Sequence, residues 1–214
     1  MRYGKGYSVV SGIAAWMGRN IFYYRKAEIK EILKLIKENK RILDLGCNTG
    51  YLTRIIKNNI PSSRIYGADI NYEAVEAARK KNKSIIFYHI NNKFYQKHKF
   101  DYVIASHIIE HIKEPKEFIG NIKKILNPKG KLILIIPQER IRGDLNIPHI
   151  LYNLIRGRFE NPHIHKIDFD LCKKMLSENI FKISKYKYIN LFFPFVSKKK
   201  GFYSWSLIVL AQLK

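Results

Sequence analysis

The sequence predicts an α/β fold, built as one doubly wound and mostly parallel sheet with helices on both faces. Two patterns indicate this fold. Short apolar runs of strand length alternate along the chain with stretches whose apolar residues recur at helical spacing. The first of these runs ends in a glycine-containing turn, and a helical pattern follows at once. The length of 214 residues suits one such domain with appended segments.

The balance of charges is strongly basic, with a formal net charge of +23. Such an excess favours an anionic partner, namely RNA, a phosphorylated substrate or a membrane surface. An alternative stays open, because the lysines are spread through the whole chain and would then form solvated faces without a specific partner. None of these patterns indicates the oligomeric state.

Cysteine content and hydropathy indicate the compartment. Cys47 and Cys172 make no disulfide framework, so a reducing interior is expected. No apolar run reaches the roughly 18 residues that a membrane helix needs. We therefore predict a cytoplasmic protein, and peripheral binding at a membrane surface is a further interpretation of its basic and aromatic segments.

The first predicted helix begins at Lys26 and leads into the first strand. Its apolar residues follow a helical period, with lysines and glutamates on the opposite face, and the buried stripe consists of Ile29, Ile32, Leu33 and Ile36. Residues 42–45 then form a buried parallel strand. Gly46 and Gly50 allow a tight turn in which backbone N–H groups face a ligand, and the next helix directs its positive end to the same place. This unit predicts a cradle for a nucleotide cofactor.

The second strand, at 64–69, ends in an acidic residue. Asp69 lies 23 positions after Gly46, where a carboxylate is placed to accept hydrogen bonds from ribose hydroxyls. The other interpretation of Asp69 is a helix N-cap, although Asn71 also suits that position. We therefore predict a ribose contact at Asp69.

Further strands complete the predicted sheet. They lie at 84–88, 100–106, 131–136, 180–188 and 203–213, and the last is expected to be antiparallel and inserted beside its predecessor. A turn at 127–130 precedes the fifth strand. Residues 189–201 form a loop that contains three phenylalanines and three consecutive lysines.

The residues around the turn narrow the class of cofactor. Asn48 and Tyr51 stand where a dinucleotide fingerprint needs glycine, and no Gly-Lys-Ser/Thr sequence closes a P-loop. Asp44, at the end of the first strand, would repel a phosphate. It suits a ligand with a positive charge, such as an amino group or a sulfonium.

These features together resemble the class I S-adenosylmethionine (SAM) methyltransferases. The run ILDLGCNTG at 42–50 resembles their motif I, with Asn48 in place of the middle glycine. YGAD at 66–69 resembles their ribose-binding segment, FDYVIAS at 100–106 their motif IV, and LNPKGKL at 126–132 their turn before strand five. The resemblance implies SAM as the cofactor. It also implies a Rossmann-like sheet of seven strands in the order 3-2-1-4-5-7-6, with strand 7 antiparallel.

The resemblance further implies which residues contact the cofactor. The adenine would lie near the end of the third strand, where this chain has His89 or Asn91 in place of the usual aspartate. Arg25 would reach the methionine carboxylate. The implied set is Asp44, Gly46, Cys47, Asn48, Gly50, Tyr51, Asp69, Ile70, His89, Ile90, Ser106 and Arg25.

One domain with four segments is predicted. Residues 1–40 form an N-terminal segment and helix that cover the cofactor site, and 41–137 form the SAM-binding core. Residues 138–168 form an insertion at the acceptor site. Residues 169–214 supply a C-terminal helix and β-hairpin that complete the same domain.

The implied reaction is an in-line displacement, in which a nucleophile of the acceptor attacks the methyl group of SAM. A base is needed only where that nucleophile carries a proton, and an imidazole suits this task near neutral pH. The candidates are His107, His111 and His165. Each of them also has a second interpretation, as a residue that shapes the site without transferring a proton.

A divalent-metal site is the alternative use of the same histidines. His107, Glu110 and His111 fall at i, i+3 and i+4, so they would share a helical face, and His165 would complete the group. The family that methylates the 2′-hydroxyl at the 3′ ends of small RNAs has a similar grouping, although His107 replaces its first glutamate. Because hard cations prefer oxygen ligands, we predict no metal here.

We predict a SAM-dependent methyltransferase that acts on a small-molecule or lipid-like acceptor. The cofactor motifs indicate the activity, and the aromatic stretches at 1–24 and 189–201 indicate the acceptor class. An RNA methyltransferase, with a metal-assisted 2′-O enzyme as one form, is the alternative indicated by the charge and the histidines. A third interpretation is a non-catalytic methyltransferase-like module whose basic and aromatic loops lie on lipid headgroups.

Overall fold

The computed structural model describes residues 23–91, 93–138 and 164–214. The helices in these ranges are α1 (Tyr23–Leu35), α2 (Tyr51–Asn59), α3 (Tyr72–Lys81), α4 (Phe94–Lys97), α5 (Pro115–Ile125) and α6 (Phe169–Glu178), with a 3₁₀ turn at Ile109–His111. The strands are β1 (Arg41–Leu45), β2 (Arg64–Asp69), β3 (Ile86–His89), β4 (Phe100–Ser106), β5 (Leu126–Pro137), β6 (Phe181–Asn190), β7 (Val196–Ser197) and β8 (Ser204–Leu213). None of the helices in this part of the chain is long and apolar enough to cross a bilayer.

The sheet has the order β3-β2-β1-β4-β5-β8-β6-β7. Strands β1 to β5 pair in parallel, and β8 lies between β5 and β6, antiparallel to both. This confirms the predicted doubly wound α/β fold and the inserted antiparallel last strand. The count of seven strands is one too low for the described residues, because β7 pairs with Tyr188 and Ile189 inside the predicted loop.

The turn predicted at 127–130 lies inside a long strand. Leu126 pairs with Phe100, but the next pair in the ladder joins Lys131 to Tyr102. The residues between them therefore leave the ladder as a bulge. Lys129 adopts a left-handed conformation there, with φ of 60°.

Alternate residues of each central strand supply two cores on opposite faces of the sheet. In β1, Leu43 and Leu45 belong to one core and Ile42 to the other. Helices α5 and α6 cover the first core with residues such as Phe118 and Met175. Helices α1 and α2 cover the second core with Ile32 and Ile56. Both faces of the sheet are therefore covered by helices, as the fold class requires.

Helix α1 buries Ile32 of its predicted stripe, and Ile36 just beyond its end is also buried, but Ile29 and Leu33 are only half-buried. Its buried residues are Tyr24, Glu28, Glu31 and Ile32. The prediction that the glutamates lie opposite the core is wrong for Glu28 and Glu31. Glu31 accepts hydrogen bonds from Lys34 at 2.5 Å and from Lys187 of β6 at 2.6 Å. A buried carboxylate with such partners avoids the cost of an unpaired charge.

One edge of the sheet collects the carboxyl ends of six strands. Strands β1 to β5 are parallel, and β6 shares their direction because β8 is antiparallel to both β5 and β6. The glycine turn after β1 and the segments after Asp69, His89, Ser106 and Asn190 therefore meet at this edge, where ligands bind in open α/β sheets.

Gly67, in β2, makes close packing between β2 and β3 possible. A Cβ atom added at Gly67 would lie 2.4 Å from Cδ1 of Phe87 and 2.9 Å from Sγ of Cys47. Phe87 is buried in a small cluster and has little room to move. We expect Gly67→Ala to lower the free energy of unfolding by about 2 kcal/mol, because overpacking displaces the ring.

Urea unfolding measures this effect, and Gly201→Ala is the matched control. The nearest atom to a Cβ added at Gly201 is 3.9 Å away, which is an ordinary contact. The control variant should stay within about 0.5 kcal/mol of the parent protein. Equal stabilities of the two variants would contradict the packing role of Gly67.

Candidate active site

The glycine turn after β1 has the conformation that its glycines allow. Gly46 and Gly50 have φ of 79° and 77°, in the left-handed region. A Cβ added at Gly46 would lie 2.6 Å from Cδ1 of Ile108, and one at Gly50 would lie 2.8 Å from Cζ of Phe87. The turn is therefore packed between the segment after β4 and the side chain of β3.

The backbone N–H groups of this turn donate within the protein. Gly46 N and Cys47 N both donate to the Ala68 carbonyl, at 2.7 and 3.1 Å, and Gly50 N donates to the Cys47 carbonyl at 2.9 Å. The expectation that the amides of this turn face a ligand is wrong for these groups. The turn consequently has little donor capacity for a phosphate, in keeping with the absence of phosphate motifs.

Asp44 lies beneath the turn at the end of β1, where only 2% of it is exposed. Its Oδ2 accepts a hydrogen bond from Thr53 Oγ1 at 2.6 Å. Burial raises the pKa of Asp44 to about 6, the hydrogen bonds from Thr53 lower it in part, and the charge of Asp69 raises it. Asp44 therefore joins β1 to the first turn of α2 and keeps a carboxylate behind the cradle.

Asp69 faces the turn from the end of β2. Its Oδ2 accepts a hydrogen bond from Asn48 N at 2.8 Å, and its Oδ1 accepts one from Asn71 N at 2.8 Å. The side chain of Asn71 caps α3, by accepting from the amides of Glu73 and Ala74. Asp69 is thus not the N-cap, and its half-buried carboxylate lies beside the glycine turn.

The rim formed by the ends of β2 and β3 is exposed and partly apolar. Ile70 is 77% exposed, and His89 Nε2 lies 3.0 Å from the Ile70 carbonyl. The ring of Tyr72 meets that of His89 edge to face at 5.6 Å. Ile90 N donates to the Asp69 carbonyl at 2.9 Å and so fixes this rim to β2.

Cys47 directs its thiol away from the rim. The side chain is buried in a cluster with Val75, Ala78, Ile85 and Phe87. Burial raises the pKa of the Cys47 thiol well above its usual range. The thiol is therefore inert packing, and Cys47 can contact a ligand only through its backbone.

The segment after β4 positions His107. Ser106 pairs with Ile135 at the end of β4, and His107 N donates to the Ile135 carbonyl at 2.9 Å. His107 has a left-handed backbone, with φ of 52°. Non-glycine residues held in this region cluster at functional sites.

Glu28 binds His107 from helix α1, and the sequence patterns did not predict it. Glu28 Oε1 lies 3.0 Å from His107 Nε2 and accepts a hydrogen bond from Ser206 Oγ at 2.7 Å. Its Oε2 accepts one from Arg25 Nη1 at 2.7 Å. Burial by itself would raise the pKa of Glu28. The charges of His107 and Arg25, with the hydrogen bonds to Glu28, outweigh burial and hold this pKa below its usual range.

Arg25 connects this network to the cofactor turn. Besides the hydrogen bond to Glu28, its guanidinium interacts electrostatically with Tyr51, the first residue of α2. The predicted cofactor residues Arg25 and Tyr51 are thus close to each other. The signal that would have indicated Glu28 is its spacing of four residues from both Tyr24 and Ile32 on the buried face of α1.

The predicted histidine group is brought together only in part. His107 Nδ1 and His111 Nε2 each lie 3.9 Å from Glu110 Oε1, beyond hydrogen-bond range. Burial raises the pKa of Glu110, and its Oε2 has no hydrogen-bond partner among the described residues. His165 instead lies with Nε2 3.1 Å from the Lys113 carbonyl. The described residues contain no group of three or more His, Cys, Asp or Glu side chains arranged to hold a metal.

The predicted acceptor insertion at 138–168 falls largely outside the described residues, which resume at 164. The part that is described attaches to the 3₁₀ turn. Ile164 N and His165 N donate to the Glu110 carbonyl, at 2.8 and 3.3 Å. The C-terminal end of the insertion is therefore held beside the segment that carries His107.

A family model described as a methyltransferase domain matches residues 17–182. Two curated relatives match parts of the chain. The malonyl-[acyl-carrier protein] O-methyltransferase of Halalkalibacterium halodurans is 28% identical over 45% of this chain and 38% of that protein. The ubiquinone/menaquinone biosynthesis C-methyltransferase of Wigglesworthia glossinidia brevipalpis is 27% identical over 69% of each. The chain spans 38% to 60% of the length of the first three curated relatives it matches.

Solved structures share the fold. The crystal structure of magnesium protoporphyrin IX methyltransferase from Synechocystis PCC 6803, with bound SAH, is 17% identical. The match covers 89% of this chain and 84% of that one, with a TM-score of 0.63. At this identity the likeness concerns the fold, which agrees with the predicted Rossmann-like sheet.

Neutralising the two buried carboxylates Asp44 and Glu28 should change the free energy of unfolding in opposite directions. The pKa of Asp44, about 6, lies above its ordinary value of 3.8, so the folded state carries a penalty above about pH 6. We expect Asp44→Asn to raise the free energy of unfolding at pH 8 by roughly 1 to 3 kcal/mol. This gain should shrink as the pH falls from about 6 towards 4, because the folded protein then takes up the proton.

Glu28→Gln is the contrasting variant. The pKa of the native Glu28 carboxyl is lowered from its ordinary value of 4.5. Glu28 therefore stabilises the folded state above pH 4.5, and this stabilisation is lost as the pH falls further. We expect the substitution to cost about 2 to 4 kcal/mol at pH 8, since it breaks a buried ion pair. Urea unfolding between pH 4 and 8 measures both variants. A loss of stability in Asp44→Asn at pH 8 would contradict the assigned sign.

Proposed function

The chain belongs to the methyltransferase domain family, and on this premise we propose that it transfers a methyl group from SAM to a small-molecule or lipid-like acceptor. One observation carries the proposal. Asn48 N, in the glycine turn, donates to Asp69 Oδ2 at 2.8 Å, so the turn and the acid of the next strand share one edge of the sheet. This is where a nucleoside cofactor binds in doubly wound folds.

The chemistry of the turn fits SAM better than a phosphate-containing cofactor. Two carboxylates, Asp44 and Asp69, flank the turn, whereas the amides of Gly46 and Cys47 donate to Ala68. Acceptors of this kind suit an ammonium group, a sulfonium and ribose hydroxyls. When bound, SAM supplies a methyl group that is already activated by the positive charge on its sulfur. The protein mainly has to align the reactants and exclude water.

Residues on three sides of the edge would hold the cofactor. Asp69 would accept hydrogen bonds from the ribose hydroxyls, in exchange for one of its backbone contacts. The exposed rim with Ile70 and His89 would pack against the adenine. Arg25, beside Tyr51, would pair with the methionine carboxylate.

His107 is the residue that we assign to the acceptor's proton. Glu28 Oε1 lies 3.0 Å from Nε2 and so fixes the orientation of the imidazole. Nδ1 lies 3.9 Å from the nearest oxygen of Glu110, so it is the nitrogen left to accept a proton from an acceptor O–H or N–H. Glu28 acts as a positioning residue, and it does so from the helix that covers the site.

The names of the relatives and the exposed rings after β6 support the proposed class of acceptor. The curated relatives are named for malonyl-[acyl-carrier protein] and for ubiquinone and menaquinone biosynthesis, which favours an acceptor of small or lipid-like chemistry. Exposed aromatic residues after β6 lie at the same edge of the sheet. Both observations support an apolar acceptor.

An RNA acceptor is the second candidate, and the net charge of +23 is the observation that favours it. The two candidates differ in their response to salt. Binding to RNA should weaken steeply as salt rises, because phosphate contacts release counterions. Binding of an apolar small molecule should change little over the same range.

We expect Asp69→Asn to weaken the binding of SAM at least about tenfold, because a charged acceptor for the ribose is lost. Calorimetry with SAM measures the effect. Asp101→Asn is the matched control, since Asp101 also accepts two hydrogen bonds at 2.9 Å, from Arg41 N and Asn127 Nδ2. Asp101 lies at the start of β4, on the opposite edge of the sheet. Equal SAM affinities in the two variants would refute the ribose role.

We expect His107→Gln to slow methyl transfer at least about 100-fold while SAM affinity stays within about twofold, because the glutamine amide can still donate to Glu28 but cannot take up a proton. Transfer of labelled methyl from SAM into an extract of the source cells measures the rate. His165→Gln is the control, as its ring contacts the Lys113 carbonyl. An unchanged rate in His107→Gln, or an equal loss in both variants, would refute the base.

A further inference from the structure

An exposed cluster of aromatic rings lies between β6 and β8. We call residues 191–203 the aromatic tip. Its rings are among the most exposed of the large apolar side chains in the described ranges, with Phe193 85%, Phe202 70% and Phe192 60% exposed. Tyr23 of α1 joins them by stacking on Phe195 at 5.8 Å. Exposed apolar patches of this kind mark interaction surfaces.

The aromatic tip is held in shape by hydrogen bonds. Asn190 N donates to the Phe195 carbonyl at 2.9 Å, and Asn190 Nδ2 donates to the Pro194 carbonyl at 2.7 Å. Leu191 N donates to the Tyr203 carbonyl at 2.9 Å, which joins the two sides of the tip. The rings are therefore presented outward by an ordered frame.

The position of the aromatic tip relates it to the active site. It follows the carboxyl end of β6, at the same edge of the sheet as the glycine turn and His107. Directly after the tip, Ser206 of β8 donates to Glu28 Oε1, the oxygen that also contacts His107 Nε2. The exposed rings thus adjoin the acceptor side of the edge.

Positive charge surrounds the rings. The tip itself contains the exposed Lys198, Lys199 and Lys200. Lys26 Nζ lies 5.5 Å from the centre of the Tyr23 ring. Lys198 also lines a cleft with Lys34, Lys185 and Lys187, where Glu31 pairs with Lys34 and Lys187 and leaves Lys185 and Lys198 as its further cationic groups. Aromatic rings flanked by lysines match the headgroup region of an anionic bilayer, where rings insert and ammonium groups contact lipid phosphates.

We propose that the aromatic tip docks the protein on an anionic lipid bilayer. The purpose of docking rests on the proposed function, because it would bring a membrane-dissolved acceptor to the edge that carries His107. The docking itself depends only on the rings and lysines of the tip. On this proposal, the lysines around the aromatic tip serve to contact anionic lipid.

The arrangement of the rings favours lipid over single-stranded RNA. Bases stack on open, flat ring faces. In the aromatic tip, Phe192 and Phe202 each meet Tyr203 edge to face, at 85° and 86°. The planes of these rings are nearly perpendicular, so the three rings offer no row of parallel faces for successive bases and suit insertion among acyl chains better.

The test is co-sedimentation of the full chain with vesicles of phosphatidylcholine, either alone or with about 30% phosphatidylserine. The wild-type protein should bind the anionic vesicles at least about tenfold more strongly than the neutral ones. Replacing both exposed phenylalanines, Phe193→Ser with Phe202→Ser, should weaken binding at least about tenfold. The control replaces exposed apolar residues elsewhere, Ile86→Ser with Leu171→Ser, and should change binding less than about threefold.

Two triple variants that remove the same charge at different places test whether binding depends on the aromatic tip or only on the net charge of the protein. Lys198→Gln, Lys199→Gln and Lys200→Gln together should weaken binding roughly 100-fold, at roughly fivefold per lysine. Lys80→Gln, Lys81→Gln and Lys83→Gln together remove the same charge at the end of α3 and should have less than about a threefold effect. Equal losses in the two triple variants, or no preference for anionic vesicles, would overturn the proposal.

Two parallel measurements keep the outcomes distinct. If the tip variants lose binding to single-stranded RNA but not to vesicles, the surface serves RNA and the lipid proposal is wrong. Calorimetry with SAM, without vesicles, should give the same affinity for the wild type and the tip variants. Vesicle binding without any SAM binding would reject the proposed enzymatic function and leave the docking surface standing.

Discussion

The carboxylate of Asp69 joins the glycine turn to the second strand, and the geometry of the cofactor edge depends on this contact. One oxygen accepts from Asn48 N in the turn, and the other accepts from Asn71 N at the start of α3. The amides of Gly46, Cys47 and Gly50 donate to neighbouring carbonyls, so this part of the backbone is fixed before any ligand binds. A pre-formed cradle lowers the entropy that must be lost on binding. Asp69 therefore has a structural role before any ligand binds. Its carboxylate oxygens then lie beside a turn whose backbone is already in place.

Glu28 gives the acceptor side of the same edge a comparable link. Three elements meet at its carboxylate, because His107 follows β4, Ser206 belongs to β8 and Arg25 belongs to α1. A buried carboxylate is tolerated only when its partners are in place, and here they hold its pKa below the usual range. The backbone of His107 is left-handed, and its N–H donates to the Ile135 carbonyl. Helix α1 therefore determines the orientation of the imidazole as well as covering the sheet.

Much of the fold was predictable because the signals were local. The glycine turn, Asp69 and the central strands follow from patterns within a few residues, and the match to the methyltransferase domain confirms the resemblance that they indicated. Other features depend on partners distant in sequence. Buried Glu28 accepts a hydrogen bond from Ser206, which is 178 positions away. The amides of Gly46 and Cys47 donate to the carbonyl of Ala68, on the next strand. Strand β7 is two residues long and forms only because β6 offers it an edge. Periodicity carries no information about such pairings.

The polarity of a parallel sheet explains why the glycine turn, His107 and the exposed rings share one edge while the other edge serves stability. On the opposite edge, Asp101 accepts from Arg41 N and Asn127 Nδ2, and Lys99 Nζ donates to the Lys124 carbonyl, so charged groups there join strands and helices of the fold. At the carboxyl edge the strands end in segments whose side chains are not needed to continue the ladder. These segments are consequently the ones that can carry a cradle, an imidazole and exposed rings. A net charge of +23 does not reveal this division, because net charge is a sum over both edges. The relevant quantity is where lysines stand beside apolar surface, and the aromatic tip is such a place.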